Sequence, residues 1–190
     1  MRFNKINLFS LIFILAVNIA VNTTEAHEKA WPEKRLKQIW PEAQNYTSKQ
    51  VTLTPGQILK LKNEGIKIGG EDRSPTFYFA QKKESPRDEK AKTLGVILFI
   101  DEYGENGLIE ISIAMGTDGR IKKIDIWEHS ENSLIAKEDF LKQFNGKNVK
   151  DSIIVNKDYR PIPGADKASE AIARAVNKAL KISNTIFEKK

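Results

Sequence analysis

A period of two residues, typical of β-strands, marks the middle of the chain. In the segment TFYFAQ, Phe77 and Phe79 alternate with Tyr78, and this alternation predicts a half-buried strand. Residues 93–101 follow a charged loop and form a nearly continuous apolar run, which predicts a well-covered strand.

Two more strands are expected immediately afterwards. Residues 108–116 alternate in polarity, and their apolar face consists of Ile109, Ile111, Ile113 and Met115. The sequence GTDG then predicts a turn, in which Gly119 can take a positive φ. Beyond it, residues 120–129 place Ile124 and Ile126 on one face. Together with residues 93–101, these segments predict three consecutive antiparallel strands.

Apolar residues spaced by three and four positions predict two helices before the strands. Residues 28–40 predict a peripheral helix that ends at Pro41. Its apolar positions are Leu36, Ile39 and Trp40. Residues 54–65 predict a short helix, with Thr54 as its N-cap and Gly65 beyond its end.

Two further helices are expected after the strands. Residues 133–144 return to helical spacing and stop at Asn145 and Gly146, and the last helix follows Gly164. Its apolar stripe consists of Ala168, Ala171, Ile172, Ala175, Val176, Ala179 and Leu180, whereas Lys167, Glu170, Arg174, Lys178 and Lys181 point elsewhere. The alanines allow close approach to a sheet. An antiparallel β-sheet with helices packed against it is an α+β fold.

The amino terminus has the pattern of an export signal. Arg2 and Lys5 precede an apolar run, and TTEA supplies small residues for cleavage after Ala26. The uncharged run spans about 14 residues, whereas a bilayer helix needs about 20. We therefore expect a signal peptide over residues 1–26 and a periplasmic or otherwise exported protein, soluble after cleavage. An uncleaved N-terminal membrane anchor is the alternative.

The composition of the chain excludes several kinds of functional site. The chain has no cysteine, which excludes a lipoprotein acylation site, a Cys-x-x-Cys-His haem attachment, thiolate zinc sites and a cysteine nucleophile. It has two histidines, and we expect no metal site. The net charge of +6 is modest and its signs are interspersed, so we expect no nucleic-acid partner.

The segment WEHSENS ends the third predicted strand and carries one candidate cluster. His129 and Glu131 share a strand face, but one imidazole and one carboxylate are too few for a closed zinc site. A solvated strand end is the ordinary interpretation. An enzyme that acts through this pair is the alternative.

The start of the last helix carries a second candidate cluster. Asp166 is suited to be its N-cap, because its carboxylate can accept hydrogen bonds from the first-turn amides. The same amides, behind Gly164, could instead bind a phosphate. Asp166 would compete with that use.

The order of these segments resembles a known family. The stretches GLIEISIAMGTDGRIKKIDIWEHSENS, FLKQFNGK and IPGADKASEAIARAVNKAL resemble the FMN-binding domain of the flavoprotein subunits of Rnf and sodium-pumping NADH:quinone oxidoreductase complexes and of NosR-type membrane proteins. The resemblance covers about residues 94–181. It implies an N-terminal helical and strand segment over residues 27–92 and an FMN-binding-like domain over residues 93–190.

Individual positions match the family pattern to different degrees. His129 and Glu131 match its His-x-Glu element, although Asn132 stands where Thr is usual. The element QF-x-GK is matched fully, by Gln143, Phe144, Gly146 and Lys147. In the last element Gly164 and Ala165 match, whereas Pro163, Asp166 and Ala168 depart from the pattern. The flavin site implied by the resemblance comprises His129, Glu131, Lys147, Gly164, Ala165, Asp166, Lys167, Ala168 and Ser169.

Ala168 occupies the position whose hydroxyl carries FMN through a phosphoester in covalent members of the family. An alanine has no oxygen to esterify, so the sequence predicts no covalent attachment there. Ser169 is one residue, or about 100°, further around the helix and is not expected to replace it. Asp166 would repel a phosphate, an effect that Lys167 or Lys147 could partly offset.

Together, the signal-like amino terminus and the resemblance indicate an exported electron-transfer domain that holds FMN non-covalently. Its phosphate would lie near residues 164–169 and its ring against residues 129–131. Its partner would be a membrane-bound or periplasmic redox protein, and we expect an electron-transfer or binding module rather than a stand-alone enzyme. The alternative is a flavin-free binding or assembly subunit of an envelope complex. The sequence does not fix the oligomeric state.

Overall fold

A five-stranded antiparallel sheet forms the centre of the molecule. The computed structural model describes residues 32–188, so the predicted signal peptide and its cleavage after Ala26 lie outside the described residues. Each strand pairs with its neighbour in the chain, in the order β1-β2-β3-β4-β5. The strands are β1 (Asn45–Gln50), β2 (Thr76–Lys82), β3 (Lys92–Tyr103), β4 (Leu108–Gly116) and β5 (Ile121–Glu128). The three consecutive strands predicted from the sequence are β3, β4 and β5.

Helices cover both faces of the sheet, and the predicted α+β class is confirmed. They are α1 (Glu33–Ile39), α2 (Pro55–Asn63), α3 (Glu138–Leu141) and α4 (Asp166–Phe187). Short 3-10 turns lie at Glu71–Arg73, Ser133–Ala136 and Lys142–Phe144. Helix α2 begins as predicted, because the Thr54 side chain and Gln57 form a capping box.

The larger core lies between α4 and one face of the sheet. All seven residues of the predicted apolar stripe of α4 are at most 3% exposed. They pack against the predicted apolar face of β4, whose four residues are at most 2% exposed. The small alanine side chains let this helix lie close to the strands, as the sequence predicted.

A second core lies on the opposite face, beneath α1. Leu36, Ile39 and Trp40 are buried there against residues that include Tyr78. Strand β2 is therefore covered on both sides, with Phe77 fully buried and Tyr78 6% exposed. The prediction that this strand is half-buried was wrong, because α1 packs into the core and is not peripheral.

Two other expectations need correction. Residues 133–144 do not form one helix, because Lys137 has an extended backbone with φ −74° and ψ 139°. The sequence also places Lys178 on the polar side of α4, whereas the structure buries it. Its ammonium nitrogen lies 2.6 Å from Glu102 Oε1 and 3.1 Å from Asp72 Oδ2, which provide the charges that burial requires.

Candidate functional site

The start of α4, which we call the helix mouth (residues 164–169), is built by a glycine turn. Gly164 has φ +75°, a conformation that favours glycine. The carbonyl oxygen of Ala165 accepts the amide of Ser169 at 2.9 Å, so Ala165 is the N-cap and Asp166 is the first helical residue. The sequence interpretation of Asp166 as N-cap was wrong by one position. Its exposed carboxylate nevertheless lies in the first turn, beside the free amide ends.

The two small residues of the helix mouth are buried. Ala168 is 0% exposed and belongs to the larger core. Ser169 is also 0% exposed, and its hydroxyl oxygen accepts the backbone N–H of Ile162 at 3.0 Å. The Ser169 hydroxyl therefore fixes the turn that precedes the helix.

Lys167 is held by the turn between β3 and β4. Its ammonium group donates to Glu105 Oε1 at 2.9 Å on the protein surface. The hydrogen bond and the charge of Glu105 raise the pKa of Lys167 above its ordinary value.

The same turn holds Glu131. Its carboxylate accepts the Asn106 backbone N–H at 2.6 Å and the Asn106 side-chain amide at 3.1 Å. The Glu131 backbone N–H donates to His129 Nδ1 at 3.1 Å, which places the proton of a neutral His129 ring on Nε2. Residues 104–107 therefore connect His129 and Glu131 to the helix mouth.

Glu105 and Asn106 are partners that sequence reasoning missed. They belong to the short connection YGENG between two predicted strands. Its position between antiparallel strands could have drawn attention to it. The identity of its partners depends on residues 25 and more positions further along the chain.

Lys147 does not join this group. Its carbonyl oxygen accepts the N–H of Ile121 at the start of β5, whereas His129 follows the end of that strand. The two strand ends are roughly 23 Å apart at about 3.3 Å per residue. The Lys147 ammonium nitrogen lies 3.6 Å from Asp158, and both side chains are 17% exposed.

The remainder of the QF-x-GK element is structural. Gln143 Oε1 accepts the Arg160 N–H at 2.9 Å, and its amide nitrogen donates to the Arg160 carbonyl at 3.3 Å. Phe144 is fully buried, and its ring lies 5.3 Å from that of Tyr159. Gly146 has φ +79°. The element fastens the loop that leads to the helix mouth.

Two kinds of feature are absent from the described residues. No helix within residues 32–188 is long and apolar enough to span a bilayer. In the same range, no three or more His, Cys, Asp or Glu side chains are grouped in a way that could hold a metal ion.

Part of the chain is similar to known proteins. The family model of the FMN-binding domain matches residues 104–181. A relative from Clostridium ljungdahlii, one of the subunits of its proton-translocating ferredoxin:NAD(+) oxidoreductase complex, is 26% identical over 70% of this chain and 72% of its own length. The crystal structure of Shewanella oneidensis NqrC superposes with a TM-score of 0.52 over 76% of this chain and 83% of that chain, at 13% identity, and so shares the fold. Residues 104–181 therefore match the FMN-binding domain family, which confirms the resemblance seen in the sequence motifs.

Proposed function

We propose that this protein binds FMN non-covalently and transfers electrons to or from a redox partner. The observation that carries the proposal is the helix mouth, within the matched family domain. Behind Gly164, the amides of Asp166, Lys167 and Ala168 precede the first intrahelical hydrogen bond of α4. Such amides, at the positive end of a helix dipole, are suited to a phosphate group. When bound, FMN supplies the redox chemistry.

The side chains of the helix mouth fit a non-covalent group better than a phosphoester. Ala168 has no oxygen, and the Ser169 hydroxyl is buried and hydrogen-bonded to Ile162. Lys167 supplies a positive charge, although Glu105 already pairs with it. Asp166 remains an unfavourable charge beside the phosphate position. We place the ring against residues 129–131, where Asn106 holds Glu131 in position.

The spectrum of the purified protein tests the mode of binding. The full chain is expressed together with flavin-attaching enzymes, and its visible absorption is recorded before and after acid precipitation. We expect a yellow protein that releases FMN into the supernatant. A pellet that stays yellow would contradict non-covalent binding.

Asp166→Asn tests the location of the phosphate. Removing one unfavourable charge at a helix N-terminus should tighten FMN binding by about two- to fivefold, measured by quenching of flavin fluorescence. Glu89→Gln, an exposed change of the same charge outside the matched domain, is the control and should have no effect. Equal affinities for all three proteins would place the phosphate elsewhere.

The flavin-free alternative is favoured by one observation. The exposed Asp166 carboxylate lies where an anion would have to bind. Absence of FMN from the purified protein, together with failure of added FMN to bind, would support a binding or assembly subunit of an envelope complex.

We also propose that the protein is exported and meets a membrane-bound redox partner. The support is the signal-like amino terminus and the description of the Clostridium relative as a subunit of an oxidoreductase complex. Mass spectrometry of the protein recovered from the periplasm should show an N-terminus at His27. A full-length protein in the membrane fraction would support the anchored alternative.

A further inference from the structure

A cavity lies at the opposite end of α4 from the helix mouth. Its volume is about 630 Å³, within the range of about 300–1,000 Å³ typical of small-molecule sites. We call it the cleft. Its apolar wall consists of Phe79, Val96, Met115, Leu180 and Phe187. None of the residues predicted for the flavin site lines it.

A buried hydroxyl in the wall of the cleft lacks a partner. Ser183 is 9% exposed and lines the cleft, yet its oxygen atom makes no hydrogen bond within the described chain. Leaving such a group unpaired is unfavourable, so polar groups in native cores are nearly always hydrogen-bonded. A ligand in the cleft could provide the missing bond.

The charged residues that line the cleft favour an anion. The two carboxylates, Asp118 and Glu188, lie 3.9 Å from Lys122 and 3.4 Å from Lys60, respectively. The two cations, Arg120 and Lys150, form no ion pair with any residue in the range 32–188. Arg120 donates one N–H to the Gly146 carbonyl at 2.7 Å, which orients its guanidinium group and leaves its other donors for a ligand.

We propose that the cleft binds a small aromatic anion, at a site separate from the flavin site. The phenyl rings of Phe79 and Phe187 and the aliphatic wall would contact the ring of the ligand. Arg120 and Lys150 would bind its carboxylate or other acidic group. Ser183 would donate or accept one hydrogen bond. The proposal does not depend on FMN binding, because the two sites lie at opposite ends of α4.

Two probes of the same shape test the role of charge. The protein purified from cells that express the full chain is titrated with 2-naphthoate and, separately, with the uncharged 2-naphthamide, by calorimetry. We expect one naphthoate per chain and about tenfold weaker binding of the amide. Equal affinities, or binding of several naphthoates per chain, would overturn the proposal.

Substitutions then locate the probe. Arg120→Gln and Lys150→Gln should each weaken naphthoate binding by about tenfold, while Lys34→Gln on α1 should leave it unchanged. Ser183→Leu should also weaken binding, because it removes the buried hydroxyl and narrows the cleft, and circular dichroism checks that this variant is folded. If the three cleft variants bind naphthoate like the wild type, the cleft is not the site.

Titration in the presence of saturating FMN tests whether the two sites are separate. Naphthoate affinity should be the same with and without the flavin. Competition between them would overturn the assignment of a separate site. Absence of FMN binding leaves the naphthoate result valid, so failure of the flavin proposal and failure of this one are distinguishable.

Discussion

Polar side chains have hydrogen-bond partners at one end of α4, whereas some at the other end lack them within the described chain. At the helix mouth the side chains bind one another: Ser169 bonds to Ile162 and Lys167 pairs with Glu105. The donors that remain there are the first-turn amides and the other N–H groups of the Lys167 ammonium. At the cleft, the Ser183 hydroxyl and the Lys150 ammonium group have no such partner within residues 32–188. An anion at the helix mouth would therefore be recognised mainly by the backbone, and one at the cleft mainly by side chains.

Lys178 lies between these ends and fixes the helix to the rest of the fold. It bonds to Glu102 on β3 and to Asp72 in the 3-10 turn, and the two acidic side chains are 15% exposed. Burial by itself lowers the pKa of Lys178. The hydrogen bonds and charges of Glu102 and Asp72 outweigh that effect, so the pKa is raised overall.

The largest expected effect is that of Lys178→Met. It leaves the largely buried Asp72 carboxylate without its cation and Glu102 with Arg174 alone, and should lower the free energy of unfolding by about 3 kcal/mol, measured by urea denaturation at pH 7. Lys181→Met is the control on the same helix. The side chains of Lys181 and its partner Glu64 are 28% and 32% exposed, respectively. The loss of unfolding free energy should therefore be below about 1 kcal/mol. Similar losses of unfolding free energy for both variants would show that the buried contacts of Lys178 stabilise the fold no more than a surface ion pair does.

The pH dependence of stability gives a second comparison of the wild type with Lys178→Met. Because the pKa of Lys178 is raised on folding, its contribution is complete below its ordinary value of 10.5 and is lost as the pH rises through the folded value. Between pH 10 and pH 12 the wild type should therefore lose more stability than Lys178→Met. Parallel stability curves for the two proteins would contradict this assignment.

An intermediate effect is expected for Gly95→Ala, beside the cleft. A Cβ atom there would overlap the Met115 carbonyl oxygen and the Trp40 ring on the opposite face of the sheet. Overpacking of this kind costs about 1–3 kcal/mol. The control is Gly56→Ala in α2, where an added Cβ would meet no atom within 4 Å apart from its chain neighbours and the backbone of its own helix. This variant should be neutral or stabilising in the same denaturation experiment. Tolerance of alanine at Gly95 would mean that Trp40 and β4 move aside readily.

The smallest effects distinguish the two buried serines of α4. Ser169→Ala leaves the buried Ile162 N–H without its acceptor and should cost about 1 kcal/mol or more. Ser183→Ala removes a hydroxyl that has no partner and should change stability by less than about 0.5 kcal/mol, or increase it. Stability is measured by thermal unfolding. Equal losses of stability from the two substitutions would contradict the inference that Ser169 has a hydrogen-bond partner and Ser183 has none.

The sequence predicted those parts of the fold whose pattern is local. Strands β3 to β5 and the stripe of α4 follow the periods of two and 3.6 residues, because each buries an apolar face. Strand β1 was missed because only Tyr46 of its six residues is buried, so its pairing with β2 leaves almost no apolar pattern. The helical spacing of residues 133–144 rests on Ile135, Phe140, Leu141 and Phe144, which are all buried. No local signal marked the extended backbone at Lys137.

The candidate sites, too, were predicted only where their sequence pattern is local. Gly164 and the start of α4 were found from a turn signal beside a helical pattern. Residues 104–107 bind Lys167 and Glu131 through contacts between distant parts of the chain, which a local sequence pattern does not predict. The cleft left no signature in the sequence, because strands, turns and the end of α4 each contribute only a few residues to its lining.

Helix α4 follows all five strands in the chain, and this order has a consequence for biosynthesis. The strands pair only with chain neighbours, so the sheet can assemble while the chain is still growing. The apolar face of β4 lacks the cover that α4 provides until residues 166–187 have been made. A chain that is terminated before this helix would therefore present an open apolar sheet surface and aggregate, instead of folding into a smaller stable domain.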